Sequence, residues 1–85
     1  MEMAVSEFVE QYRGFEIYVQ VFPFSADMVD VWCRIVNPSD LRPSPLTARV
    51  QQVTGGPFPA KIGEEVGMYF GIGLIDSYLR EYSGN

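Results

Sequence analysis

The side chains of this chain that could carry out chemistry are few. The 85 residues contain no histidine and a single cysteine, Cys33. Without histidine the usual general base, the Ser–His and Cys–His nucleophile systems and the commonest metal ligand are all missing. Cys33 alternates in phase with valines and isoleucines, which predicts a small buried core residue rather than a reactive thiol.

The carboxylates are dispersed along the chain instead of being clustered. Glu65 and Asp76 fall on one flank of a predicted helix, but they would lie about 16 Å apart at 1.5 Å per residue. That separation is too large for the two groups to act on one bond as acid and base. No calcium-loop spacing occurs, and the turn TGGPFP lacks the spacing of a phosphate-binding loop. We therefore predict a protein that is not an enzyme and that uses no cofactor and no metal.

Aromatic and arginine side chains are the remaining candidates for a binding site. Tyr18, Trp32, Arg34 and Arg49 are predicted to share one face of a sheet, where they could stack on nucleic-acid bases. The charge balance opposes that interpretation, because six basic residues stand against eleven acidic ones and the net charge is −5. Nucleic-acid affinity depends on neutralising phosphates, so we expect neither nucleic acid nor an anionic membrane as the partner.

Two alternating segments position these side chains. In YRGFEIYVQV the apolar residues Phe15 to Val21 alternate with polar ones, and DMVDVWCRIV repeats the pattern around Cys33. Both patterns are typical of half-buried strands. A hairpin that turns near Ser25 predicts three core pairs and two outward pairs. The core pairs are Phe15–Ile35, Ile17–Cys33 and Val19–Val31; the outward pairs are Tyr18–Trp32 and Glu16–Arg34.

The next segment predicts a loop and a third strand. Three prolines within residues 37–45 exclude a central strand or a helix there. Residues 46–53, LTARVQQV, alternate again and predict a strand with Leu46, Ala48 and Val50 toward the core. Its register would place Arg49 beside Trp32.

The last segment, residues 60–82, predicts one long helix. Acidic residues in its early turns and Arg80 near its end suit the helix dipole. Gly63, Gly67 and Gly71 weaken any helix, and a strand through residues 68–75 is the alternative. The helix is favoured because a glycine at every fourth position makes one smooth groove on a helix, which in soluble proteins usually lets the helix lie close to a sheet.

The predicted helix has more apolar surface than one contact needs. Ile62, Val66, Phe70 and Leu74 form one side, and a second stripe contains Met68, Ile72, Ile75 and Leu79. One side suffices to cover a small sheet. We expect the second stripe, or the Tyr18–Trp32 face, to form a homodimer contact. The competing interpretation is that the N-terminal segment covers the stripe within one chain.

These elements predict one α+β domain over residues 1–85. Residues 1–11 form a tail or a short helix, residues 12–59 a three-stranded antiparallel sheet, and residues 60–82 the helix that covers one face. The N-terminus lacks the basic region of a signal peptide. The longest uncharged run, VGMYFGIGLI, is about half of the roughly 20 residues that a membrane helix needs. A soluble cytoplasmic protein is expected.

The chain resembles small bacterial domains of unknown function. The shared marks are an aromatic-x-Gly-aromatic strand start at Tyr12, Gly14 and Phe15, and a helix that carries Ile75 and Asp76 in GLID. The resemblance implies a β-β-β-α core and no established chemistry. If residues 6–11 are helical, the order α-β-β-β-α is also similar to the double-stranded RNA-binding domain, although the second helix lacks that family's basic cluster. We expect a non-enzymatic domain that acts through protein contacts, including self-association; the alternative is a nucleic-acid-binding module.

Overall fold

A computed structural model describes residues 5–82 and shows an antiparallel sheet packed against one long helix. Its strands, in chain order, are β1 (Ser6–Tyr12), β2 (Phe15–Pro23), β3 (Met28–Val36), β4 (Gln51–Gln52) and β5 (Phe58–Pro59). A 3₁₀ turn, Ala60–Ile62, leads into the helix α1, Gly63–Tyr82. The order in the sheet is β1-β2-β3-β4, and β5 also pairs with β3. The predicted α+β class and the C-terminal helix are confirmed.

The N-terminal segment is a strand, so the expectation of a tail or a short helix was wrong for residues 6–11; its first four residues lie outside the described part of the chain. Arg13 and Gly14 have φ values of 52° and 86°, as a two-residue turn of type I′ requires at both of its central positions. That turn pairs β1 with β2 in antiparallel register from Tyr12↔Phe15 to Ser6↔Val21. Because the N-terminal helix is not formed, the topology of the double-stranded RNA-binding domain does not apply.

The β2–β3 hairpin has the predicted faces but a different register. Ile17 lies opposite Ile35, and Tyr18 lies opposite Arg34, two residues away from the predicted pairs. The turn closes at Met28, whose carbonyl oxygen accepts hydrogen bonds from the backbone N–H groups of Phe24 and Ser25 at 2.9 and 3.1 Å. A shift of two residues keeps every side chain on its face of the sheet. The predicted core residues of β2 and β3 are therefore confirmed, whereas the predicted cross-strand pairs were wrong.

The predicted third strand is reduced to Gln51–Gln52, which pairs with Cys33 and Trp32. Its first half folds into a turn instead, because Thr47 and Ser44 hydrogen-bond to each other through backbone and side chain at 3.1–3.2 Å. Such local hydrogen bonds compete with strand pairing. Leu46 and Val53 are buried, whereas the predicted core residues Ala48 and Val50 are exposed.

The helix lies unusually close to the sheet along its glycines. A Cβ atom at Gly67 would collide with both γ-methyl groups of Val19, and one at Gly71 would lie 2.5 Å from a methyl group of Ile17. A four-residue step rises about 6 Å on a helix, and a two-residue step on a strand is about 6.7 Å. Each four-residue step along the helix therefore advances about one row of core side chains, and the close approach that the glycine spacing predicted is confirmed.

The core lies between α1 and the inner face of the sheet. Its fully buried side chains include Ile17, Val19, Val31 and Cys33 from the central strands and Ile75 from the helix. The described part of the chain thus has a β-β-β-α-like arrangement, with two additional short strands beside β3. No helix within residues 5–82 is long and apolar enough to cross a membrane.

Candidate interaction surface

The sheet face that points away from α1, here called the outer face, brings together aromatic side chains from β2 and β3. Even-numbered residues of both strands point outward because odd-numbered ones are buried against the helix. The outer face contains Tyr18, Gln20, Phe22, Trp32 and Arg34, together with Val9 of β1. Val9 is 49% exposed, and the three aromatic residues are half-buried.

Tyr18 makes two specific side-chain contacts on this face. The guanidinium carbon of Arg34 lies 4.6 Å from the centre of the Tyr18 ring, a favourable cation–π distance. The phenol donates a hydrogen bond of 3.1 Å to a carboxylate oxygen of Glu16, which raises the pKa of Tyr18. Trp32 lies opposite Gln20, so it is a diagonal neighbour of Tyr18 and not the direct partner that the sequence predicted.

Arg49 is not part of a strand. It lies in the exposed segment before β4, and Trp32 is paired with Gln52 instead. Of the predicted four-residue stacking surface, the strands β2 and β3 hold Tyr18, Trp32 and Arg34. The cation of these three, Arg34, is already placed over the Tyr18 ring.

The four residues of the second helix stripe differ in burial. Ile75 is fully buried in the core, while Met68, Ile72 and Leu79 are half-buried and pack against it. Ile75 is therefore part of the core and not available to a partner chain, and the expected homodimer contact through the other three residues stays a prediction. The helix turns its glycine edge toward the sheet, so the apolar residues on both sides of that edge flank the core.

A side-chain clasp ties the β1–β2 turn to the helix. Asp76 accepts a hydrogen bond of 2.9 Å from the Tyr12 hydroxyl and one of 3.0 Å from Arg13 Nη1. The Tyr12 bond and then the Arg13 bond lower the pKa of Asp76, and the same bond to Asp76 raises the pKa of Tyr12. Nearby, Phe15 and Tyr78 form an edge-to-face pair with ring centres 6.3 Å apart. The sequence marks at Tyr12 and Asp76 are thus joined in space.

A cleft separates β1 from the N-terminal half of α1. Its volume is about 430 Å³, and its walls include Ile17, Met68 and Ile72 together with Glu10 and Glu65. The cleft exists because α1 packs over β2 and β3 and makes fewer contacts with β1. The apolar residues of the segment 7–12 stand at positions 8, 9 and 12 and do not alternate, so periodicity gave no signal for the strand β1 that forms one side of the cleft.

The only cysteine has no reactive environment. Cys33 is buried, and burial raises the pKa of its thiol to about 11. Among residues 5–82, no group of three or more histidine, cysteine or acidic side chains is placed to hold a metal ion.

Comparison with protein-family models, with curated proteins and with solved structures found no match.

Proposed function

We propose that this chain is a non-enzymatic interaction domain that self-associates through its outer face. The observation that supports the proposal is the contrast between the two faces of one sheet. The inner face is buried under α1, whereas no second helix or sheet of residues 5–82 packs on the other face, where Tyr18, Phe22 and Trp32 are half-buried. Aromatic residues are enriched at protein interfaces.

A second copy of the chain suits the outer face because its charges complement themselves under two-fold symmetry. Arg34 shares this face with three carboxylates, those of Glu7, Glu16 and Asp30. In a two-fold dimer the same patch lies on both subunits, so Arg34 of one copy can approach carboxylates of the other. The two sheets would pack about 10 Å apart, as in a sandwich.

The expected dimer is weak. Each central strand has nine residues, and at about 3.3 Å per residue the face is roughly 30 Å long. Three strands make it about 15 Å wide, which places the interface at the small end of specific contacts. The net charge of −5 on each copy adds repulsion that salt screens. Dissociation on dilution, and stronger association as salt rises toward physiological concentration, are therefore expected.

The test is sedimentation velocity over a hundredfold dilution of the wild type, Trp32→Glu and Tyr69→Glu. Trp32→Glu should give a folded monomer, because it places a charge at the centre of the outer face. Tyr69→Glu is the matched control: Tyr69 is an aromatic residue on the helix, 74% exposed, and its replacement should leave the dimer unchanged. A wild-type monomer at every concentration, or a dimer that tolerates Trp32→Glu, would overturn the proposal.

A further inference from the structure

The strand β1 leaves one edge of the sheet unpaired within residues 5–82. It pairs only with β2, whereas the outer edge of β3 pairs with β4 and β5. The two-residue turn makes Tyr12 and Phe15 a hydrogen-bonded pair, and the bonding alternates along an antiparallel ladder. The backbone N–H and C=O groups of Glu7, Val9 and Gln11 therefore point away from β2. Groups of this kind are a ready template for another strand.

Apolar surface lies directly beside this free edge. The floor of the cleft between β1 and α1 is formed by Ile17, Met68 and Ile72. An adjoining hollow of about 260 Å³ continues it past Phe8 toward the start of the helix. A strand added to β1 would point every second side chain toward this floor. The site thus offers backbone hydrogen bonds and apolar contact to the same ligand.

Acidic side chains line both sides of the cleft. Glu10 lies on the side formed by β1, and Glu64 and Glu65 lie on the side formed by the helix. Lys61 lines only the adjoining hollow. Two copies of this chain paired through β1 would bring two such acidic sets together, which like-charge repulsion opposes. A basic ligand would place opposite charges there instead.

We propose that the β1 edge and the adjacent cleft bind an extended, basic segment of another protein as an additional strand. Lysine or arginine at alternate positions would lay its methylene stem over Met68 and Ile72 and bring its charged end to the carboxylates. Apolar residues between them would lie beside Val9. This site is separate from the outer face and does not depend on self-association.

The first probe is the peptide Lys-Val-Lys-Val-Lys-Val-Lys with blocked ends, titrated into the ¹⁵N-labelled protein. The amide shifts should be largest at Glu7, Val9 and Gln11 and across residues 64–72. They should be small at Trp32, and binding should saturate at or below about 1 mM peptide. No saturable shift in that range, or shifts centred on Trp32, would overturn the proposal.

Charge variants test whether the carboxylates that line the cleft contribute to peptide binding. The double change Glu64→Gln/Glu65→Gln should weaken peptide binding about three- to tenfold, the range expected for two partly exposed ion pairs. The matched control is Asp27→Asn/Glu81→Gln, which also removes two exposed carboxylates but none that lines the cleft, and it should leave the affinity unchanged. Equal effects of the two changes would mean that only net charge matters, and this would contradict the proposed site.

A backbone probe separates strand addition from simple charge attraction. Two further peptides carry N-methyl groups on the odd-numbered or on the even-numbered residues and keep the same charge. In an added strand only every second N–H group faces β1, so one of these two peptides should not bind. Val9→Pro should abolish binding from the protein side, because proline removes an outward N–H that the fold does not use. Undiminished binding of both methylated peptides would overturn the proposal even if Val9→Pro failed to fold.

Discussion

At the scale of single residues, the glycines of α1 decide how closely the helix approaches the sheet. Gly67→Ala should lower the free energy of unfolding by about 1–3 kcal/mol, because the new methyl group would overlap Val19. Gly73→Ala is the control in the same helix. Nothing lies within 4 Å of the position that its new methyl group would take, so that change should raise stability by about 0.5–1 kcal/mol. Chemical denaturation of both variants measures the difference, and effects of the same sign would contradict the packing.

Cys33 provides a second test at this scale. Burial raises the pKa of its thiol to about 11, so at pH 7–8 almost no thiolate is present to react. A chromogenic disulfide reagent should leave the native protein unmodified over minutes. After denaturation it should report one thiol per chain, the single cysteine of the sequence. Rapid modification of the native protein would show that the β2–β3 core opens readily.

At the scale of elements, the clasp between Asp76 and the β1–β2 turn should make stability depend on pH. Hydrogen bonds from Tyr12 and Arg13 lower the pKa of Asp76 from its ordinary value of 3.8. Ionised Asp76 therefore stabilises the fold above about pH 4, and that contribution is lost as the pH falls through the lowered pKa. Asp76→Asn should reduce the melting temperature at pH 7. The loss should be only a few degrees, because solvent screens the interactions of the partly exposed side chain. The gap from the wild type should close as the pH is lowered from 4 to 2.

Asp40→Asn is the control for the clasp. Arg42 lowers the pKa of Asp40 to about 2, but the two residues are only two positions apart and can also meet in the unfolded chain. The Asp76 bonds span 63 and 64 positions and require the fold. Asp40→Asn should therefore change the melting temperature less at pH 7. A loss in Asp40→Asn as large as that in Asp76→Asn would contradict the greater weight given to the long-range bonds, and an Asp76→Asn gap that stays constant in acid would show that ionised Asp76 is not the source of the stabilisation.

At the scale of the whole molecule, we expect the net charge to disfavour nucleic acid as a partner. With −5 overall and one lysine, binding to duplex DNA or RNA should be no tighter than the non-specific range of about 10⁻⁴–10⁻⁶ M at physiological salt. Fluorescence titration of Trp32 with duplexes at several salt concentrations measures this. A salt-dependent complex at submicromolar concentration would contradict the prediction and favour the outer face as a nucleic-acid surface.

The same acidity distinguishes the two proposed interaction sites. Association through the outer face brings two negative molecules together, so moderate salt should strengthen it. Binding of a basic segment beside β1 joins opposite charges, so the same salt should weaken it. Opposite salt responses of the dimer and of the peptide complex would therefore support two independent surfaces.

The alternation of side chains alone determined which residues of β2 and β3 form the core, including Ile17 and Cys33. The four-residue spacing of glycines likewise indicated a helix that lies close to a sheet. These features can be predicted from short segments, because the two-residue period of a strand and the four-residue spacing on a helix involve only residues close together in the sequence. The loop of residues 37–45 was predicted for the same kind of reason, since proline restricts the backbone wherever it occurs.

Only the tertiary structure decided how these elements meet. The pairing of Tyr18 with Arg34 depends on where the loop closes at Met28, and a shift of two residues leaves the sequence pattern unchanged. The strand β1 forms because β2 offers it an edge and the Arg13–Gly14 turn brings it there. Arg49 is not in a strand, because Ser44 and Thr47 form a local turn just before it. The cleft beside β1 exists because glycines draw α1 over β2 and β3, and no single segment of the sequence contains that relation.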